Sequence, residues 1–259
     1  MRRRNRNRTE LAISERELAA LTDDLDQLHH DVGMPAMRAA VDRWTGEIRT
    51  SRRGFLIGAG AAAAGVALAA CSSSPSTSAT TTTGPGRSAK ASLTGDLAVA
   101  ALAASLENLA VAAYGDVLTA AAAGKLGTVP PAVATFVTTV KGQHTQHAQA
   151  WNSAITAAGH PPVTGPDKAL VPTVDKAFAK VTDVTGAAKL ALTLEDIAAA
   201  TYQSAVSAVR ARSSVQVAAS IQPVEMQHAA ILHFVLGQYP VPDAFSPLAG
   251  ARTLSDNRG

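Results

Sequence analysis

The chain has a single cysteine in 259 residues, which excludes an internal disulfide framework and a thiolate zinc cluster. No window alternates apolar and polar residues with period two, so strands are not expected. Basic charge is plentiful but badly placed for nucleic acid: of 23 Lys and Arg, 11 precede Cys71. The 189 residues from Cys71 onward carry a net charge of +1 and no basic stripe, which argues against a nucleic-acid partner. Glutamate is the most telling scarcity. From Cys71 onward there are only three: Glu107, Glu195 and Glu225.

What is present begins with an export signal. Ser51-Arg52-Arg53-Gly54-Phe55-Leu56 matches the twin-arginine address that an export machinery reads. Phe55 to Ala70 follows without a charge, too short and too weakly apolar for a stable span but suited to a signal's apolar region. Leu68-Ala69-Ala70-Cys71 resembles a lipobox, whose cysteine is lipidated and becomes the new N-terminus. Residues 51–71 are therefore expected to be signal and lipobox, with Arg52 and Arg53 read by the twin-arginine machinery and Cys71 carrying the anchor. Residues 72–93, rich in Ser, Thr, Pro and Gly, read as a flexible tether. The expected location is the extracytoplasmic face of the cell membrane, held there by lipid.

The first fifty residues say less. Leu18, Leu21, Leu25 and Leu28 fall at helical spacing. A regulatory or partner-binding segment on the cytoplasmic side is one reading. A long, partly helical n-region, or a start at Met34 or Met37, is the one preferred. His29 and His30 receive no role.

Beyond the tether the expected architecture is all-α, an antiparallel four-helix bundle over residues 94–237. Helix one covers about Gly95 to Ala123, dense in Ala and Leu. Helix two covers about Pro131 to Ala158, opened by Pro130-Pro131. Helix three covers about Asp183 to Arg212, and helix four about Ser213 to Leu236. Pro223 lies inside helix four, where a kink or break is expected. Two tight connections and one crossover of more than twenty residues between helices two and three give this bundle its wiring. A short helix is expected near Val174 to Lys180. The tail, residues 238–259, contains Pro240, Pro242 and Pro247 and is expected to be irregular.

An internal repeat carries the chemistry. Helix one holds Leu106-Glu107 followed seven residues later by Tyr114, and helix three holds Leu194-Glu195 followed seven residues later by Tyr202. Each pair shares one helical face. Helix two offers His144 and His147, and helix four offers Glu225 and His228, each pair adjacent on one face at i and i+3. Every glutamate after Cys71 sits in this repeat. At 1.5 Å per residue, the six groups in antiparallel helices come level to within about one turn. Carboxylates and imidazoles gathered in this way are metal ligands unless they pair with one another. Tyr114 and Tyr202 read as hydrogen-bond donors to the glutamates, as redox-active groups, or as core fillers at the bundle's ends.

The pattern resembles the ferritin-like di-iron carboxylate superfamily, with one Glu from each of two helices and Glu-x-x-His from each of the others. More closely, it looks like exported actinobacterial-type lipoproteins that carry such a domain. The resemblance covers about Gly95 to Leu236. It implies a divalent metal centre, di-iron or di-manganese, held by Glu107, Glu195, Glu225, His147 and His228, acting on oxygen, peroxide or metal ions, with Glu195 or Glu225 as bridge. His144 stands where the family has a fourth carboxylate. Three carboxylates and three neutral imidazoles compensate less cationic charge, which opens the site to zinc or copper or to a single ion. No catalytic residue is named by the sequence. A metal buffer, a stress-protection module or an interaction bundle is the non-catalytic alternative, and a homodimer is left open.

Overall fold

Ala-rich sequences make helix without help, so this chain is shaped by where its helices stop. The structure, a computed structural model, describes residues 12–69, 93–243 and 247–256; for residues 53–69 it describes the backbone alone. Cys71, the tether through residue 92 and the Arg53 side chain therefore lie outside the described residues. Helix α1 spans Glu15–Leu28, a five-residue π-helical turn spans His29–Gly33, and α2 spans Met34–Ala69. Helices α3 (Asp96–Ala122), α4 (Pro131–Ala157), α5 (Val171–Phe178), α6 (Val184–Ala208) and α7 (Arg212–Val235) follow. The described residues contain no strand.

The boundaries have identifiable causes. Ser14 and Glu17 form a reciprocal capping box at the start of α1. Asp183 caps α6 by accepting the Gly186 N–H at 2.7 Å. The third helix ends at Ala208, four residues before the expected Arg212, because Val209 turns extended. Asp96 then holds the tight turn into α7. Its carboxylate accepts the Arg210 and Ala211 N–H groups at 2.9 and 2.8 Å and the Ser214 hydroxyl at 2.6 Å. The break anticipated at Pro223 does not occur, since α7 runs through it. A mid-helix proline costs about 3 kcal/mol. Complete burial of Val217, Ala218 and Ile221 on its N-terminal side and of Glu225 and His228 beyond it keeps the helix together.

Helices α3 and α4 pack as one hairpin and α6 and α7 as a second, with α3 against α6. This is an all-helical bundle with one long crossover, residues 158–183, which carries α5. Helix α3 is apolar and long enough to cross a membrane, yet 67% of its most apolar stretch is buried inside the protein, as expected of a central core helix. Helices α4 and α7 touch one another far less than α3 and α4 do, and the wider groove on that side is filled by α1 and α2. Leu18, Leu25, Met34, Met37, Ala40 and Trp44 are buried there. Arg52 ends this packed stretch: its guanidinium donates to the Ala157 carbonyl at 3.1 Å, at the C-terminus of α4 where cationic groups are favoured. Gly159 (φ 82°) passes so close beneath that guanidinium that a β-carbon would lie 2.8 Å from it.

The tail is ordered where it is described. Arg252 pairs with the buried Asp167 of the crossover at 3.1 Å, and its N–H reaches the Thr201 hydroxyl at 2.8 Å. Crossover and tail are thus stitched over the α3/α6 face. Two large apolar clusters fill the bundle, and a smaller third, of Leu109, Ala113, Val174 and Leu194, lies under α5. One of the large pair, around Phe136, Val140, Ala191 and Leu232, includes Tyr114. The other, around Trp44, Trp151, Ile155 and Ile221, includes Tyr202. A polar layer lies between them.

Candidate metal centre

Glu107 on α3, His144 and His147 on α4, Glu195 on α6, and Glu225 and His228 on α7 meet in that layer, each 0–2% exposed. Each projects from the middle of its helix, where antiparallel packing equalises height. His144 has its Nδ1 2.7 Å from Glu107 Oε2 and its Nε2 3.2 Å from Glu195 Oε1. His228 Nδ1 lies 3.3 Å from Glu195 Oε2 and 3.4 Å from Glu225 Oε2. Donor atoms fall into two sets, each within 4.8 Å of one another: Glu107, His144, His147 and Glu225; and His144, Glu195, Glu225 and His228. Glu225 and His144 belong to both.

The tyrosines close the layer from opposite ends, and they cross over. The Tyr114 hydroxyl of α3 donates to Glu195 of α6, while the Tyr202 hydroxyl of α6 donates to Glu107 of α3. Neither bonds the glutamate of its own helix. Tyr202 also accepts the Trp151 indole N–H at 2.8 Å.

The charges hold one another in place. Burial would raise the Glu107 carboxyl, but the His147 and His144 imidazoles bring it down to about 2. Glu195 is held well below the usual range by His144 and His228 against the same burial. Burial would lower His147, yet the Glu107 and Glu225 carboxylates lift it to about 9. His144 and His228 are raised in the same way, by Glu225 and Glu195 for the first and Glu195 for the second. Burial and the neighbouring carboxylates push both tyrosines well above 10.

Whether this set fits a metal turns on what stays unpaired. Neither Glu225 oxygen has a hydrogen-bond partner, nor has either ring nitrogen of His147, although all four atoms are buried. His147 Nδ1 and Glu225 Oε1 are only 2.9 Å apart, so distance is not what denies them a bond; their directions do. An unpaired buried polar group costs about 1–3 kcal/mol, and two carboxylates with two imidazoles in each set suit a divalent cation.

Several participants carried no mark in the sequence. Gln143 places its Oε1 2.8 Å from His228 Nε2 and donates through Nε2 to Asp26 at 3.3 Å. Gln146 Oε1 meets His29 Nε2 at 2.8 Å. His29, which had no role in the sequence reading, is 2% exposed and lies beside His147. Its imidazole is lowered to about 4 by burial, with Gln146 opposing. Two glutamines immediately before two histidines in an apolar helix were the available signal. Arg52, by contrast, lies at the far end of α4 and takes no part in the layer. His233 bonds Gln238 at the end of α7, and Asp196 faces outward beside the tail.

No curated protein and no solved structure matches the chain. A family model described as a ferritin-like domain matches residues 95–238, which run from the residue before α3 through the end of α7 and contain all six converging side chains. The chain belongs to the ferritin-like domain family.

Proposed function

We propose that this protein is a divalent-metal protein of the cell envelope, redox-active towards oxygen, peroxide or metal ions. The observation that carries the reading is that the Glu225 oxygens and His147 nitrogens make no hydrogen bond in a buried layer of three carboxylates and three imidazoles. Glu107, His147 and Glu225 would hold one ion and Glu195, His228 and Glu225 a second, with the His144 imidazole available to one of the two. A redox metal there supplies electrons to small oxidants. The chain's own part is to fix the donors. Tyr114 and Tyr202 orient Glu195 and Glu107 by hydrogen bonds from opposite ends. Gln143 fixes the His228 ring from its outer nitrogen, as the neighbours of metal-binding histidines commonly do. Two apolar clusters keep bulk water away from the layer.

Anchoring belongs to the same proposal. The twin-arginine pattern at Arg52 and Arg53 and the lipobox-like Cys71 support export and lipid attachment. The twin-arginine route carries folded passengers, which suits a centre loaded before export. Metal analysis of chain purified without a His tag tests the central claim. About two redox metals per chain supports it. No metal, together with unchanged stability in Glu107→Ala and Glu195→Ala, sinks it. Incorporation of labelled fatty acid, lost in Cys71→Ser, tests the anchor.

A further inference from the structure

Five imidazoles stand in file from the surface to the middle of the bundle. His30 is 54% exposed, with its Nε2 3.6 Å from Asp26 Oδ1, which is 45% exposed. Its ring centre is 5.8 Å from that of His29, and His29 is 5.4 Å from His147. From there the steps are 6.0 Å to His144 and 5.2 Å to His228. His29 is buried, and its Nδ1 has no hydrogen-bond partner; the same is true of both nitrogens of His147, the next ring inward. His29 opens the π-helical turn between α1 and α2, a local widening often found at functional positions.

We propose that this file is the entry path of the divalent cation in the unprocessed chain, used before export and before any cleavage ahead of Cys71: the cation is taken up at Asp26 and His30, passed by His29 and delivered to His147. The inference rests on the metal reading above and adds the route and its residues. The opposite face of the centre explains why the route lies here. There, between α3 and α6, a cavity of about 20 Å³ reaches Glu107 and His144. Leu106, Leu109, Leu170, Leu194 and Ile197 line its approach, and none of them offers an atom that binds a cation. Among the described residues, it is the α1 side that presents ligand atoms in succession. A purely packing role for His29 leaves its unpartnered Nδ1 and its place between His30 and His147 without a reason.

The test is the rate of loading against its endpoint. Full-length chain, purified in detergent without a His tag and stripped with EDTA, is mixed with cobalt(II) by stopped flow, and the ligand-field absorption is followed. His29→Gln is expected to load to the wild-type endpoint but roughly tenfold more slowly, the size of losing one partner around a metal site. His30→Gln, at an exposed position where folding is not at risk, is expected to slow loading by a smaller factor. Should His29→Gln fail to fold, His30→Gln combined with Asp26→Asn decides. Wild-type rates in these variants overturn the path. So does a slowing by Ala198→Leu, which fills the opposite cavity, with none by His29→Gln. A lowered endpoint in His29→Gln also overturns it, since His29 would then be a resident ligand. Failure of the metal reading looks different: wild type itself gives no cobalt spectrum, and the path falls with it.

Discussion

The two halves of the bundle follow one plan and differ at one position. Helices α3 and α4 contribute Glu107, Tyr114, His144 and His147; helices α6 and α7 contribute Glu195, Tyr202, Glu225 and His228. At matching places one half carries the His144 imidazole and the other the Glu225 carboxylate. Their environments are opposite. His144 is bonded through both ring nitrogens, to Glu107 and to Glu195, whereas Glu225 is completely buried with neither oxygen hydrogen-bonded. The group that departs from the repeat is thus the clasp between the two single-helix glutamates. Its counterpart makes ion-pair contacts with His147 and His228 but no hydrogen bond.

The sharpest way to break this contrast is to remove each member. Glu225→Ala should abolish stoichiometric metal binding. It should also cost the metal-free protein about 3–5 kcal/mol, the usual price of breaking a buried charged set. Urea unfolding in EDTA, with metal analysis beside it, measures both. His144→Glu makes the halves alike. Four buried carboxylates repel without cations, so the metal-free variant should lose about 3 kcal/mol and recover it on addition of manganese(II). If manganese leaves its melting temperature unchanged, position 144 does not face the metal.

Protonation should show the same mutual dependence. For metal-free protein the signs follow from the folded values. His147 is raised from 6.5 to about 9, so its contribution is complete below pH 6.5 and fades as pH rises to 9. Glu107 is lowered from 4.5 to about 2, so its contribution is complete above pH 4.5 and fades as pH falls to 2. Stability in EDTA should therefore peak between pH 4.5 and 6.5 and decline on both sides, with each group worth on the order of 3 kcal/mol. Chemical denaturation across pH checks this. His147→Gln should flatten much of the alkaline decline; an unchanged decline would assign it elsewhere.

The bundle and the convergence of its six acidic and imidazole side chains were legible because their signals are local and redundant. Three glutamates after Cys71, all in one repeat, specify which side chains converge, and helix lengths specify that they come level. Facing is a different quantity. Agreement in height could not say that Tyr114 would reach the glutamate of α6 rather than its own, because that depends on how α3 and α6 are rotated against each other. Nor could Leu18 and Leu25 at helical spacing say what they pack against. The groove between α4 and α7 exists only once the bundle is assembled, and α1 and α2 fill it. The break anticipated at Pro223 is absent for the same reason: its local penalty is real, and burial of Val217, Ile221 and Val224, invisible in the local sequence, outweighs it.

The smallest predicted difference concerns the tyrosines, the one feature of the two halves that looks interchangeable. Tyr114→Phe removes one donor from Glu195, which keeps His144 and His228 as partners; the expected loss is about 1 kcal/mol. Tyr202→Phe takes a donor from Glu107 and also strands the Trp151 indole N–H, which donates to that hydroxyl, on a side chain with no exposure at all. An orphaned buried donor adds its own desolvation cost, so about 2–3 kcal/mol is expected. Thermal unfolding of the two variants in EDTA compares them directly. Equal losses would mean that the Trp151 bond contributes nothing and that the two ends of the polar layer are equivalent. A larger loss for Tyr202→Phe places the more rigid support on Glu107, the carboxylate that shares its donor set with His147.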